Sequence, residues 1–169
     1  MGTFDALNRE FRELFPILFP GGEGHIALTE PENPLNSGAE IIVRLPGKKP
    51  QAMSLFSGGE KALTAISLIF ALLKSNPTPF CFLDEVDAPL DETNVKRFNR
   101  VLEVLSTKFQ FIVITHNRRT MEVFDTLYGV TMQEPGVSKL VGVDLSQALP
   151  PHLQKSFARE RSIEGASAT

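Results

Sequence analysis

Two short apolar runs set the framework of this chain. PFCFLDE (79–85) and FQFIVITH (109–116) each end abruptly in side chains that can ionise, and the stretch between them, from about Glu92 to Leu105, has helical spacing. Continuous apolar runs of this length fit strands covered on both faces, and the order strand, helix, strand argues for a parallel α/β core. The sequence therefore predicts two neighbouring, fully buried parallel strands. Asp84, Glu85 and His116 would share their C-terminal edge, where open α/β sheets place their ligands.

An unpaired carboxylate at the end of a buried strand is costly, which implies a cation. In phosphoryl-transfer sites the first acid of such a pair holds Mg²⁺ directly or through water, and the next polarises the attacking water. Asp84 is then the candidate metal acid and Glu85 the candidate general base. The plainer alternative is a strand that surfaces and leaves two solvated acids. A neutral imidazole at His116 would hydrogen-bond a phosphate oxygen or position water, against the plainer reading of a structural histidine.

A third element is MSLFSGGEKALTAISLIFALL (53–73), a helix apolar on most of its circumference and so expected to be buried nearly all round, stopped by SNPTP (75–79). Ser57 and Glu60 match the S-x-x-E capping box. That box leaves Gly58 and Gly59 unexplained, since glycine weakens a helix that ordinary residues would build better. Glycines at a helix mouth strip it of side chains and offer backbone N–H groups and the positive dipole end to an anion, so this mouth is a candidate phosphate cradle. In VDAPLDE (86–92), Asp91 reads as an N-cap, whereas Asp87 has no local explanation.

The remaining text is less specific. Phe4, Leu7, Phe11, Leu14 and Leu18 form the seam of an amphipathic helix, ended by Pro16 and then Pro20-Gly21-Gly22, which suits either a surface helix or the end of a coiled coil. HIALTE and EIIVRL predict a small β-meander, and alternating runs at Leu127 to Met132 and Lys139 to Val143 predict two more strands after a helical turn or two around Arg118 to Phe124. With 42% hydrophobic residues in 169, the chain can build one core; residues 146–169 lose the apolar rhythm and are expected to form a mobile tail. A formal charge of -3 gives no footprint of a dedicated nucleic-acid binder. Cys81 stands alone, so a disulfide within the chain is excluded and a reducing, cytoplasmic setting is expected. The N-terminus lacks a signal peptide's pattern, and no run reaches the roughly 20 apolar residues of a membrane span, so a soluble protein is expected.

Taken together, SGGEK, PFCFLDE, VDAPLD and VITH resemble the order of signature motif, Walker B, D-loop and switch histidine in ABC-type ATPases. The surrounding text, NPLNSGAEIIVRLPGKKPQAMSLFSGGEKALTAISLIFALL, FCFLDEVDAPLDETNV and FIVITHNRRTMEVFDTLYGVTMQEPGVSKLV, is similar to the C-terminal half of the head of a bacterial SMC (structural maintenance of chromosomes) protein, from Phe4 to about Leu145. Departures are small: Phe56 stands where Leu is more usual, and Lys61 where Arg or Gln is frequent.

The resemblance implies a division of roles and of the chain. Ser57, Gly58, Gly59 and Glu60 would be the signature and Asp87 the D-loop aspartate, all acting on ATP across a head dimer; Asp84 would hold Mg²⁺, Glu85 would be the catalytic base and His116 the switch. It implies an α/β fold: the C-terminal lobe of an ABC-type head over residues 20–145, with residues 1–19 as the end of the coiled-coil arm. No G-x-x-x-x-G-K-[ST] P-loop is present; GKK at 47–49 lacks the glycine spacing and the hydroxyl. In this family the P-loop lies in the N-terminal half of the head, so this half alone is expected to be inactive. Implied partners are that N-terminal half, a second head in an ATP-dependent homodimer, the C-terminal winged-helix domain of a kleisin, and DNA through the full, nucleoid-associated complex that condenses and segregates chromosomes. Three alternatives stay open: a related coiled-coil ATPase of double-strand-break repair, a non-enzymatic scaffold, and direct DNA binding through Arg118, Arg119 and Lys139.

Overall fold

The computed structural model describes residues 2–47, 49 and 53–145; the expected tail at 146–169 lies outside them. These residues form two compact units, divided after Thr120. In the first, the element order is helix α1 (Gly2–Leu18), strands β1 (Glu23–Leu28) and β2 (Ala39–Arg44), a single 3-10 turn at Met53–Leu55, helix α2 (Gly58–Ser75), strand β3 (Phe80–Asp84), helix α3 (Glu92–Ser106), strand β4 (Gln110–Ile114) and the one-turn helix α4 (Arg118–Met121), which runs into the boundary. The second contains the hairpin of β5 (Thr126–Glu134) and β6 (Val137–Asp144), paired antiparallel with an irregularity between Met132 and Glu134.

The expected seam of α1 is present through Leu18, and the helix ends ahead of Pro20-Gly21-Gly22, but the earlier of the two expected stops is corrected. Pro16 does not end it: the ring stands on the exposed side in the last turn, and Phe19 N–H still donates to the Phe15 carbonyl at 2.8 Å. Phe11, Leu14, Phe15 and Leu18 are buried, with Phe15 stacked on Phe19 at 4.6 Å between ring centroids. At about 1.5–3 kcal/mol for each fully buried large side chain, these residues make the C-terminal half of α1 part of the core. Strand β1 lies close against this half. A Cβ on Gly24 would sit 2.8 Å from Phe11 Cε1, and Ile26 N–H donates to Asn8 Oδ1 at 2.9 Å. Lys74 of α2 pairs with Glu10 and Glu13 of α1, tying the two helices at their rim.

Strands β3 and β4 pair in parallel around α3, with Phe82 opposite Ile112 and Asp84 opposite Ile114. One face of this two-stranded sheet is covered: Leu83 is buried, and Phe111 meets the edge of Phe70 from α2, which stacks on Phe98 of α3. The other face is open. Phe82 is 63% exposed and Ile114 56% exposed, with Phe80 and Ile112 beside them. The expected full burial of these strands is therefore corrected, and so is that of α2, whose Ala65, Ile69 and Leu72 form an uncovered stripe. The described residues supply one layer for each element, where the apolar text calls for two.

Candidate functional site

The C-terminal edge of the β3–β4 sheet brings together three of the residues singled out from sequence. Asp84 is the last residue of β3 and lies on the open face, because alternation puts it with Phe80 and Phe82 and opposite Leu83. Glu85 follows in a left-handed backbone conformation with φ 47, and its N–H donates to the Ile114 carbonyl at 2.9 Å, adding one rung to the ladder. A non-glycine residue there costs about 1–2 kcal/mol, and such outliers gather where a site requires them. Glu85 Oε1 stands 3.8 Å from His116 Nδ1. This is too long for a direct hydrogen bond, yet close enough for both side chains to reach one small group above the sheet edge. Both are solvent-accessible, Glu85 at 60% and His116 at 73%.

Asp87 departs from the expectation of a residue presented across an interface. It is 1% exposed and turned inward, where its Oδ2 accepts hydrogen bonds from Thr115 Oγ1 at 2.7 Å and Thr120 Oγ1 at 2.5 Å, while Oδ1 is buried without a partner. The loop it belongs to is tied off by Ala88 N–H to the Glu85 carbonyl and Leu90 N–H to the Asp87 carbonyl. Asp91 caps α3 as anticipated, accepting from Asn94 N–H at 2.8 Å. Sequence reasoning did not find Thr115 and Thr120; the only signal was Asp87's lack of a local role.

At the mouth of α2 the capping box is complete: Glu60 N–H donates to Ser57 Oγ at 3.3 Å, and Ser57 N–H to Glu60 Oε2 at 2.9 Å. The N–H groups of Gly58 and Gly59 take no acceptor among the described residues. Neither glycine is needed by the fold. Their φ values are ordinary, a Cβ on Gly58 would meet nothing within 4 Å, and one on Gly59 would meet Asn94 Nδ2 at 3.4 Å and the Pro89 carbonyl at 3.5 Å. That last approach sets the bare helix mouth against the loop that follows Glu85.

Among the described residues no cluster of three or more His, Cys, Asp or Glu could hold a metal by itself. Asp84 beside Glu85 does fit Mg²⁺, which takes one or two carboxylates and completes its octahedron with water and phosphate oxygens. Of the basic residues considered for DNA, Arg119 is engaged by Glu92 at 3.2 Å and its N–H by Asn117 Oδ1. No helix among the described residues is long and apolar enough to cross a membrane.

A parallel strand pair carrying an acid pair and a histidine at one edge, with a bare helix mouth beside it, belongs to the ABC-type ATPase fold of SMC heads, and solved structures agree. A structure of an SmcHead bound to the C-winged helix domain of ScpA superposes with a TM-score of 0.82 at 44% identity, over 88% of this chain and 46% of that one. A structure from work on ATP-driven dimerization and DNA-stimulated activation of SMC ATPases gives a TM-score of 0.78 at 41% identity, over 95% and 94%. The chain belongs to the RecF/RecN/SMC N terminal domain family, whose model matches residues 32–139. It is 56% identical over 146 residues to the chromosome partition protein Smc of Myxococcus xanthus (strain DK1622), which is 86% of this chain and 12% of that protein. The chain thus spans a small part of the length of the curated relative it matches.

Proposed function

We propose that this chain is the C-terminal half of an SMC ATPase head and completes an ATP site with a separate half that bears the P-loop. One observation carries the reading: the face on which Asp84 stands is also the face of Phe80, Phe82, Ile112 and Ile114, which none of the described residues covers. A parallel sheet is ordinarily buried on both sides, and two strands are too few to stand alone. The missing layer and the missing P-loop are then one and the same polypeptide segment, docked on the open face beside the acids.

In the completed site, Glu85 accepts a proton from the water that attacks the γ-phosphate, and His116 hydrogen-bonds an oxygen of that phosphate. Asp84 would hold Mg²⁺, whose charge offsets that of the phosphates. Ser57, Gly58 and Gly59 turn a hydroxyl and bare N–H groups toward a nucleotide held by a second head, so that ATP joins two heads and hydrolysis parts them. Glu60 serves this from behind by holding the cap. The chain alone, without a P-loop, hydrolyses ATP negligibly. Kleisin docking is supported by the SmcHead structure with the ScpA domain, and a role in chromosome partition, acting on DNA through the full complex, by the relative's name; the same name favours this branch over break repair.

The test is Glu85→Gln in the complete protein. Loss of a general base lowers turnover by about 10²–10⁴-fold, while ATP-bound head dimers accumulate on gel filtration or crosslinking. Unchanged turnover with no trapped dimers would contradict the assignment.

A further inference from the structure

Glu85 and His116 are both largely exposed, so side-chain packing does not hold them 3.8 Å apart. Their separation is set by the backbone on either side, which is tied twice: by the Glu85 N–H to the Ile114 carbonyl, ahead of His116, and by the buried carboxylate of Asp87 on both flanks of it. Asp87 lies two residues after Glu85, and its Oδ2 accepts from Thr115 and Thr120, which stand on either side of His116. Thr115 Oγ1 in turn accepts from Asn117 N–H at 2.9 Å, Thr120 N–H donates to the Asn117 carbonyl at 3.1 Å, and Asn99 Nδ2 donates to the Arg119 carbonyl at 2.8 Å. The segment from 115 to 120 is thus bound to Asp87 at both ends, through Thr115 and Thr120, and is held between them by its own Asn117 bonds and by Asn99 of α3. A buried carboxylate with one orphan oxygen is expensive to keep for packing alone, since an apolar replacement of its donors and acceptor would cost less.

We propose that Asp87, Thr115 and Thr120 form a positioning clamp that sets His116 against Glu85. This rests on the hydrolytic reading given above. The clamp touches no substrate; its effect is on how often base and histidine stand in register, and so on turnover rather than nucleotide affinity.

The experiment uses the complete SMC protein with Thr115→Val, which keeps the volume and removes the hydroxyl, and Thr115→Ser, which restores it. Two readouts are taken: steady-state ATP hydrolysis, and the imidazole signal of His116 in ¹H–¹³C NMR of specifically labelled protein. Thr115→Val is expected to lower kcat at least about tenfold with KM for ATP within about twofold, and to move the His116 signal toward that of free histidine. Thr115→Ser recovers most of both losses. An unmoved His116 signal and unchanged kcat in Thr115→Val overturn the clamp, as does a loss that Thr115→Ser fails to recover. A wild-type protein without ATPase activity whose His116 signal still moves in Thr115→Val would overturn the hydrolytic reading and leave the clamp standing.

Discussion

Gly58 gains nothing from its own fold: its φ is ordinary and the space around its Cα is open. Alanine fits there and is the better helix former by up to about 1 kcal/mol, so Gly58→Ala should melt no lower than wild type. It should nevertheless weaken ATP-dependent head dimers, because on the proposed function the added methyl group would stand where the phosphate approaches; a thermal melt and a crosslinking assay on the same preparation check both halves. Glu85 gives the opposite case, a residue strained by its place. Glu85→Gly should unfold later than Glu85→Ala by about 1 kcal/mol, since glycine tolerates the left-handed backbone, although both variants lose the carboxylate. Asp84, Glu85, His116 and the bare helix mouth were legible in the sequence because each breaks an apolar run. Thr115 and Thr120 were not, because a threonine at a strand end or in a short turn has the same text whether it faces water or a buried carboxylate.

The elements follow local rules closely where one neighbour decides them. Strands β3 and β4 and helix α3 appear where the apolar runs, the Asp91 cap and the helical spacing put them. In helix α1, Pro16 signals a stop that the helix passes, because the tight cluster of Phe11, Phe15 and Phe19 outweighs one missing hydrogen bond. Gly24→Ala would force a methyl group into Phe11 and Phe15 and should lower stability by about 1–3 kcal/mol, read as a shifted urea midpoint at unchanged slope. The tie between α1 and α2 gives a pH signature. Its hydrogen bond to Lys74 holds the Glu10 carboxyl below its ordinary 4.5. That contribution is complete above pH 4.5 and is lost as pH falls through the lower folded value, so wild type should lose stability more steeply there than Glu10→Gln. Burial alone would lower Lys74, but Glu10 and Glu13 together hold it above its ordinary 10.5. Its share is present below pH 10.5 and fades as pH rises through the folded value.

At the scale of the whole molecule, the apolar text of β3, β4 and α2 describes a core, of which, on the function proposed above, this chain supplies part. The sequence predicts burial of these strands on both faces and of α2 nearly all round, and the structure leaves Phe82, Ile114 and Ile69 uncovered; on the proposed function, Phe82 and Ile114 belong to the surface where the rest of the head would dock. Phe82→Asp on the open face should therefore leave the chain's own helices intact by circular dichroism while abolishing its association with the P-loop half. The central claim is that the ATP site is divided between two pieces of polypeptide. It is tested most directly by measuring ATP hydrolysis of this chain alone and after titration with a P-loop-bearing N-terminal half. Turnover that is absent from either piece, and rises to a plateau at equal stoichiometry, is the result predicted here. Full turnover by this chain alone, or none in the mixture of folded and associated halves, would contradict it.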